Sequence, residues 1–111
     1  MPGVTRTYQI DKPEKHPEFR YLSFIKRGTS STKQTLYYLK MKKTPVTAKQ
    51  ISDMFPHFYR KPSDAARVVE TLKKHGLVQE VYANCWRISP LGKQACYVLG
   101  KRDAVIASQL H

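Results

Sequence analysis

No stretch of this sequence strings together more than a few apolar residues, so no segment is able to span a bilayer, which takes about 20. Met1-Pro2-Gly3-Val4 opens a polar stretch without the apolar core of a signal peptide, and an intracellular protein is expected. Cysteine is scarce. Cys85 and Cys96 cannot define a disulfide framework, and both sit among apolar neighbours as small core residues do. Acidic residues are scarce as well. The eight of them are scattered, with no carboxylate pair at a catalytic spacing, and the five glycines form no phosphate-cradling loop. The four histidines, His16, His57, His75 and His111, have no partner at i, i+4. A zinc site assembled from His57, His75, Cys85 and Cys96 would match no structural zinc spacing. Neither an enzyme, nor a metal protein, nor a cofactor carrier is expected.

Positive charge is what the sequence has in excess. Twenty Lys and Arg against eight Asp and Glu give +12. The first third, 1–31, carries +3 and the last, 63–111, carries +3. The middle, 32–62, has seven basic residues against one acidic, for +6. Such a field favours polyanions, of which nucleic acid and anionic membrane are the obvious candidates, with an acidic protein surface as a third.

The pattern along the chain predicts one domain, α+β and mostly helical. Residues 1–16 lack periodicity and read as a flexible basic arm. Pro17-Glu18 opens a short helix to Lys26-Arg27-Gly28, with a strand as the alternative, and a linker follows to 31. Thr29-Ser30-Ser31-Thr32 offers N-caps to a helix burying Leu36, Tyr37, Tyr38, Leu39 and Met41. Thr44-Pro45 breaks it. Thr47 and Gln50 stand in capping-box spacing before Ile51, Met54 and Phe55. A basic, aromatic loop at 56–62 leads to Ser63 or Asp64 as caps of a third helix with Ala65, Val68, Val69 and Leu72 inward. Gly76 suits its left-handed end, with Leu77 packing back. Leu77–Tyr82 and Cys85–Ile88 are β-prone and separated by Ala83-Asn84, a tight hairpin with Trp86 and Ile88 on one face. Ser89-Pro90 restarts a helix carrying Leu91, Ala95, Val98 and Leu99. Gly100-Lys101-Arg102-Asp103 is read as an interruption before a last short helix at 104–110.

Three segments carry a resemblance. Val46-Thr47-Ala48-Lys49-Gln50-Ile51 resembles the second-helix entry of winged helix-turn-helix transcriptional regulators. Val69-Glu70-Thr71-Leu72-Lys73-Lys74-His75-Gly76-Leu77-Val78 is similar to the end of that family's recognition helix and the start of its wing. Trp86-Arg87-Ile88-Ser89-Pro90-Leu91-Gly92-Lys93 resembles the exit from the wing. The likeness covers about 32–99, and the loop at 56–62 is longer than the three or four residues usual in a helix-turn-helix. It implies a three-helix core, a short two-strand wing, a C-terminal helix and double-stranded DNA as partner, with helix 63–75 in the major groove.

The residues the resemblance assigns follow from that placement. Ser63, Asp64, Arg67, Thr71 and Lys74 face outward on the third helix, and Arg67 is matched to guanine O6 and N7. Arg60 and Lys61 clamp phosphate with Tyr59 as a hydroxyl donor, Thr32, Lys33 and Lys49 face the duplex backbone, and Asn84 and Arg87 are the wing contacts. A homodimer through 17–28 and 104–110 is a further implication. So is a cytoplasmic, nucleoid-associated location if the source is prokaryotic or viral. The competing expectation is a protein-interaction module that grips an acidic partner such as a polymerase or replication factor. Its surfaces would be Phe58-Tyr59 and Ala104–Leu110. RNA is disfavoured because no aromatic strand motif of single-strand readers is present.

Overall fold

The structure, a computed structural model, describes residues 21–25 and 30–109. The arm at 1–16, most of the helix expected at 17–28, and the last two residues lie outside them. So do His16, His111 and most of the 17–28 half of the expected dimer surface. Among the described residues, four helices and a three-stranded antiparallel sheet form an α+β fold, mostly helical. In chain order these are α1 (Ser31–Met41), β1 (Val46–Thr47), α2 (Ala48–Met54), α3 (Pro62–Lys74), β2 (Val78–Tyr82), β3 (Cys85–Ile88) and α4 (Pro90–Gln109). No helix among the described residues is long and apolar enough to cross a membrane.

Local chemistry starts most elements where expected. Ser30 Oγ accepts the Lys33 N–H at 3.2 Å and caps α1. At α2 the capping box is complete: Gln50 N–H donates to Thr47 Oγ1 at 3.2 Å, and Thr47 N–H donates to Gln50 Oε1 at 2.8 Å. Helix α3 begins two residues earlier than a Ser63 cap implies, and three earlier than an Asp64 cap. Pro62 takes its first position, where a missing N–H costs nothing, and Lys61 precedes it without a side-chain cap. Gly76, at φ 76°, ends α3: its N–H reaches Lys73 O at 2.9 Å, and Leu77 N–H reaches Leu72 O at 3.0 Å.

The sheet order is β1-β3-β2. Asn84 takes the left-handed conformation, φ 59°, in the hairpin turn. The third strand is a finding of the structure: Val46 pairs with Trp86 and Thr47 with Cys85. Two residues are too short a run for alternation to register.

The core gathers Leu36 and Leu39 of α1, Ile51 of α2, Ala65, Val69 and Leu72 of α3, and Trp86 of β3, with Leu99 of α4 beside them. Leu22 and Ile25, from the turn before α1, complete it. Periodicity overstated three apolar stripes. Met41, Met54 and Leu91 are exposed, while Lys33, Thr35 and Ser52 occupy buried helix positions instead. Helix α4 also runs unbroken through Gly100-Lys101-Arg102-Asp103. One glycine costs a helix only about 1 kcal/mol. Here Arg102 is buried and donates to the Ile25 carbonyl at 2.8 Å, which holds this stretch of the helix against the domain.

Candidate nucleic-acid interface

Helix α3 presents a polar face clear of the core. Ser63, Arg67, Thr71 and Lys74 recur at i, i+4, i+8 and i+11 and are all exposed, with Asp64 half-buried beside them. The apolar stripe Ala65, Val69 and Leu72 sets this orientation by burying the opposite side. Thr71 Oγ1 donates to the Arg67 carbonyl at 3.1 Å, so its hydroxyl proton stays within the helix.

The hairpin is tied to this helix by one carboxylate. Glu80 Oε1 accepts from Lys73 Nζ at 2.9 Å, and Oε2 accepts the Asn84 N–H at 3.2 Å. Lys73 also meets Glu70 at 3.1 Å. These bonds hold the Glu80 carboxyl below its ordinary range, first through Lys73 and then through Asn84. They raise Lys73 above its own, through Glu80 and then Glu70. A single side chain thus closes the turn and points it along α3.

At the hairpin tip a cleft of about 440 Å³ lies between the starts of α2 and α3 and the turn. Thr47, Lys49, Ser63, Ala66, Ala83 and Asn84 are among its walls. Three residues assigned from the sequence therefore converge there: Lys49, Ser63 and Asn84. Lys49 is bonded to Asp53 at 3.0 Å, but both are well exposed, and such i,i+4 pairs contribute only about 0.3–0.5 kcal/mol. A phosphate can displace that carboxylate. Arg60 and Lys61 are exposed just before α3, and Arg60 shares a second depression with Lys49 and Asp53.

Two assigned residues turn inward, which corrects their expected role. Lys33 is 5% exposed, and its ammonium lies 2.7 Å from Asp103 of α4. It ties two helices together and does not face a duplex. Tyr59 is 4% exposed; its hydroxyl is 2.6 Å from Thr35 Oγ1 and donates to the Ser31 carbonyl at 3.3 Å. Burial pushes its pKa up, and the loop before α3 is pinned to α1 through it. Thr32 is half-buried in the first turn of α1 and lines none of these depressions.

Arg87 and Asn84 are separated by the strand pleat. Glu80, Trp86, Val78 and Ile88 share the hairpin face turned to α3, whereas Arg87, opposite Gln79, faces the other way. There it meets a basic groove that the sequence reading did not assemble. Lys40, Lys42 and Lys43 come from the end of α1 and its exit, Gln79 and Arg87 from the hairpin, and Lys93 from the first turn of α4. The charge excess in 32–62 was the only sequence signal of it.

The other titratable candidates have ordinary structural settings. Cys96 is buried, which raises its thiol to about 11, and Cys85 is half-buried. His57 lies against Phe58, with ring centroids 4.2 Å apart, and His75 stacks on Phe24 at 3.8 Å. Among the described residues no three His, Cys, Asp or Glu side chains gather as a metal-binding group. Comparison with protein-family models, curated proteins and solved structures returned no match.

Proposed function

We propose that this chain is a winged helix-turn-helix protein that binds double-stranded DNA, as a transcriptional regulator working inside the cell. Helix α3 enters the major groove, and the hairpin turn lies against the neighbouring backbone. The observation that carries the reading is the exposed polar face of α3, held beside the hairpin by the Glu80 bonds to Lys73 and Asn84. The element order and the pairing of β1 with β3 support it, since they set the starts of α2 and α3 next to the turn. Lys49, Ser63 and Asn84 then take phosphate contacts, Arg60 and Lys61 extend them, and Arg67 is the base reader. Docking to an acidic protein is the weaker reading, because Tyr59, half of its aromatic anchor, is buried.

The test is selection of a duplex from a random pool at physiological salt, followed by Arg67→Ala on the selected and a scrambled site. One bidentate arginine–guanine contact supplies about 1–3 kcal/mol of discrimination. The variant is expected to lose roughly 5- to 150-fold on the selected site and far less on the scrambled one. Failure of the wild-type protein to bind any duplex at low salt would sink the reading.

A further inference from the structure

The basic groove behind the hairpin has a charge that its own fold does not account for. Its volume is about 630 Å³, and Lys40, Lys42, Lys43, Arg87 and Lys93 all line it, with no acidic residue among the walls. None of the five has an ion-pair partner among the described residues; Lys42 rests over the Tyr38 ring, 5.7 Å from its centroid. Lys40, Lys42 and Lys43 are favoured by the negative end of the α1 dipole, which explains their side of the groove. Arg87 lies on a strand and gains nothing from that. Lys93 stands in the first turn of α4, the end at which a helix dipole disfavours a cation. Five like charges drawn from α1 and its exit, β3 and α4 therefore repel one another in the free protein, and a bound polyanion would relieve them.

We propose that this groove is a second polyanion site that takes the sugar–phosphate backbone of nucleic acid. Its lining shares no residue with the cleft at the hairpin tip, and the pleat turns Arg87 and Gln79 away from α3. The site shares a ligand class with the α3 reading but none of its residues. A phosphodiester chain fits better than an acidic peptide for two reasons. Its charge recurs at every nucleotide, one per about 3.4 Å of helix axis on each strand, so any sequence supplies the density that five cations need. A peptide would also seek an apolar anchor, and among the apolar walls only the small Pro90 ring is exposed, Ile88 being 8% exposed. The protein would then hold nucleic acid on two sides, reading sequence with α3 and gripping backbone with the groove.

The experiment titrates the isotope-labelled full chain with a 16-base-pair random duplex and follows backbone amide shifts, alongside affinity across a salt series. The variants are Lys42→Ala/Lys43→Ala/Arg87→Ala in the groove and Arg67→Ala/Lys74→Ala on α3. All five positions are exposed, and thermal melts check that each variant is folded. The expected result is movement of the Gln79 and Lys93 amides with duplex, persisting in the α3 variant. The groove variant should flatten the log affinity–log salt slope by about 2–3, near 0.9 for each phosphate lost. Shifts confined to the groove would keep this site and overturn the α3 reading. Shifts confined to α3 and the turn, with an unchanged salt slope in the groove variant, would overturn the groove and keep α3. Movement of the groove amides by poly-glutamate but not by duplex would overturn it in favour of an acidic protein partner.

Discussion

Lys33 shows how much a single contact changes the meaning of a residue. In the sequence it is one more lysine after a run of hydroxyl residues; in the fold its ammonium sits 2.7 Å from Asp103, 70 residues away. Asp103 also lies 3.8 Å from the Arg102 guanidinium. Removing the carboxylate leaves a buried ammonium unpaired, so Asp103→Ala should destabilise by about 2–3 kcal/mol, discounted because the Asp103 side chain is one-third accessible. Lys33→Met, which removes the charge and keeps the length, should cost under about 1 kcal/mol. Urea unfolding of both checks this, and equal losses would contradict it. Glu80 makes a different prediction. Its folded pKa is lowered, so the hairpin tether is complete above the ordinary carboxylate value of about 4.3 and fades as pH falls through the lower folded value. Lys73 is raised, so its share is complete below about 10.4 and fades as pH climbs through the higher folded value. Hydrogen exchange of the Asn84 amide, corrected for intrinsic rates, should be level between those limits and lose protection as pH falls below the lower one. Protection no weaker in Glu80→Ala than in the wild type would refute the tether.

At the scale of elements, two glycines of α4 have opposite consequences. A Cβ on Gly92 would collide with the Leu77 carbonyl and come within 2.6 Å of Ile88 Cγ1, because the helix start is pressed against the end of α3 and the base of the hairpin. Ser89 fixes that approach: its Oγ donates to the Gly76 carbonyl at 2.6 Å and accepts the Gly92 N–H at 2.9 Å. Gly100 has no atom within 4 Å of its would-be Cβ. Gly92→Ala should therefore destabilise by about 2–3 kcal/mol through overpacking. Gly100→Ala should stabilise by about 0.5–1 kcal/mol through helix propensity. Thermal melts of the two variants should move in opposite directions. Capping signals at Thr47-Gln50, Gly76 and Ser89-Pro90 were legible because their bonds are local. Strand β1 was not, because two residues have no period and are strands only through their pairing with β3.

For the whole molecule, +12 on a small body is distributed rather than uniform. On and beside the α3 face some cations are partly neutralised, Lys49 by Asp53 and Lys73 by Glu70 and Glu80, whereas the groove at the hairpin base is acid-free. Self-repulsion there should be relieved by screening as the Debye length shrinks. Raising salt from 50 to 300 mM is expected to lift the melting temperature by about 2–4 °C, and by less in Lys42→Ala/Lys43→Ala. An equal rise in both would place the repulsion elsewhere. The same division explains why the candidate site was half legible. Arg67, Thr71 and Lys74 follow from helical spacing, but Lys40, Arg87 and Lys93 meet only when α1, the hairpin and α4 pack.

What the sequence by itself determined is what short-range chemistry decides: the caps of α1 and α2, the glycine end of α3, the start of α4, the hairpin turn at Asn84, the inward stripe of α3, and the excess of positive charge. Each depends on residues within about a turn or two of one another, where spacing implies contact. Tertiary structure alone decided which polar side chains face inward, as with Lys33 and Tyr59. It also decided that α4 continues past Gly100, and that one hairpin carries Asn84 to α3 and Arg87 to the opposite groove. Those outcomes turn on partners 24 to 77 residues apart in the chain, which no local pattern encodes.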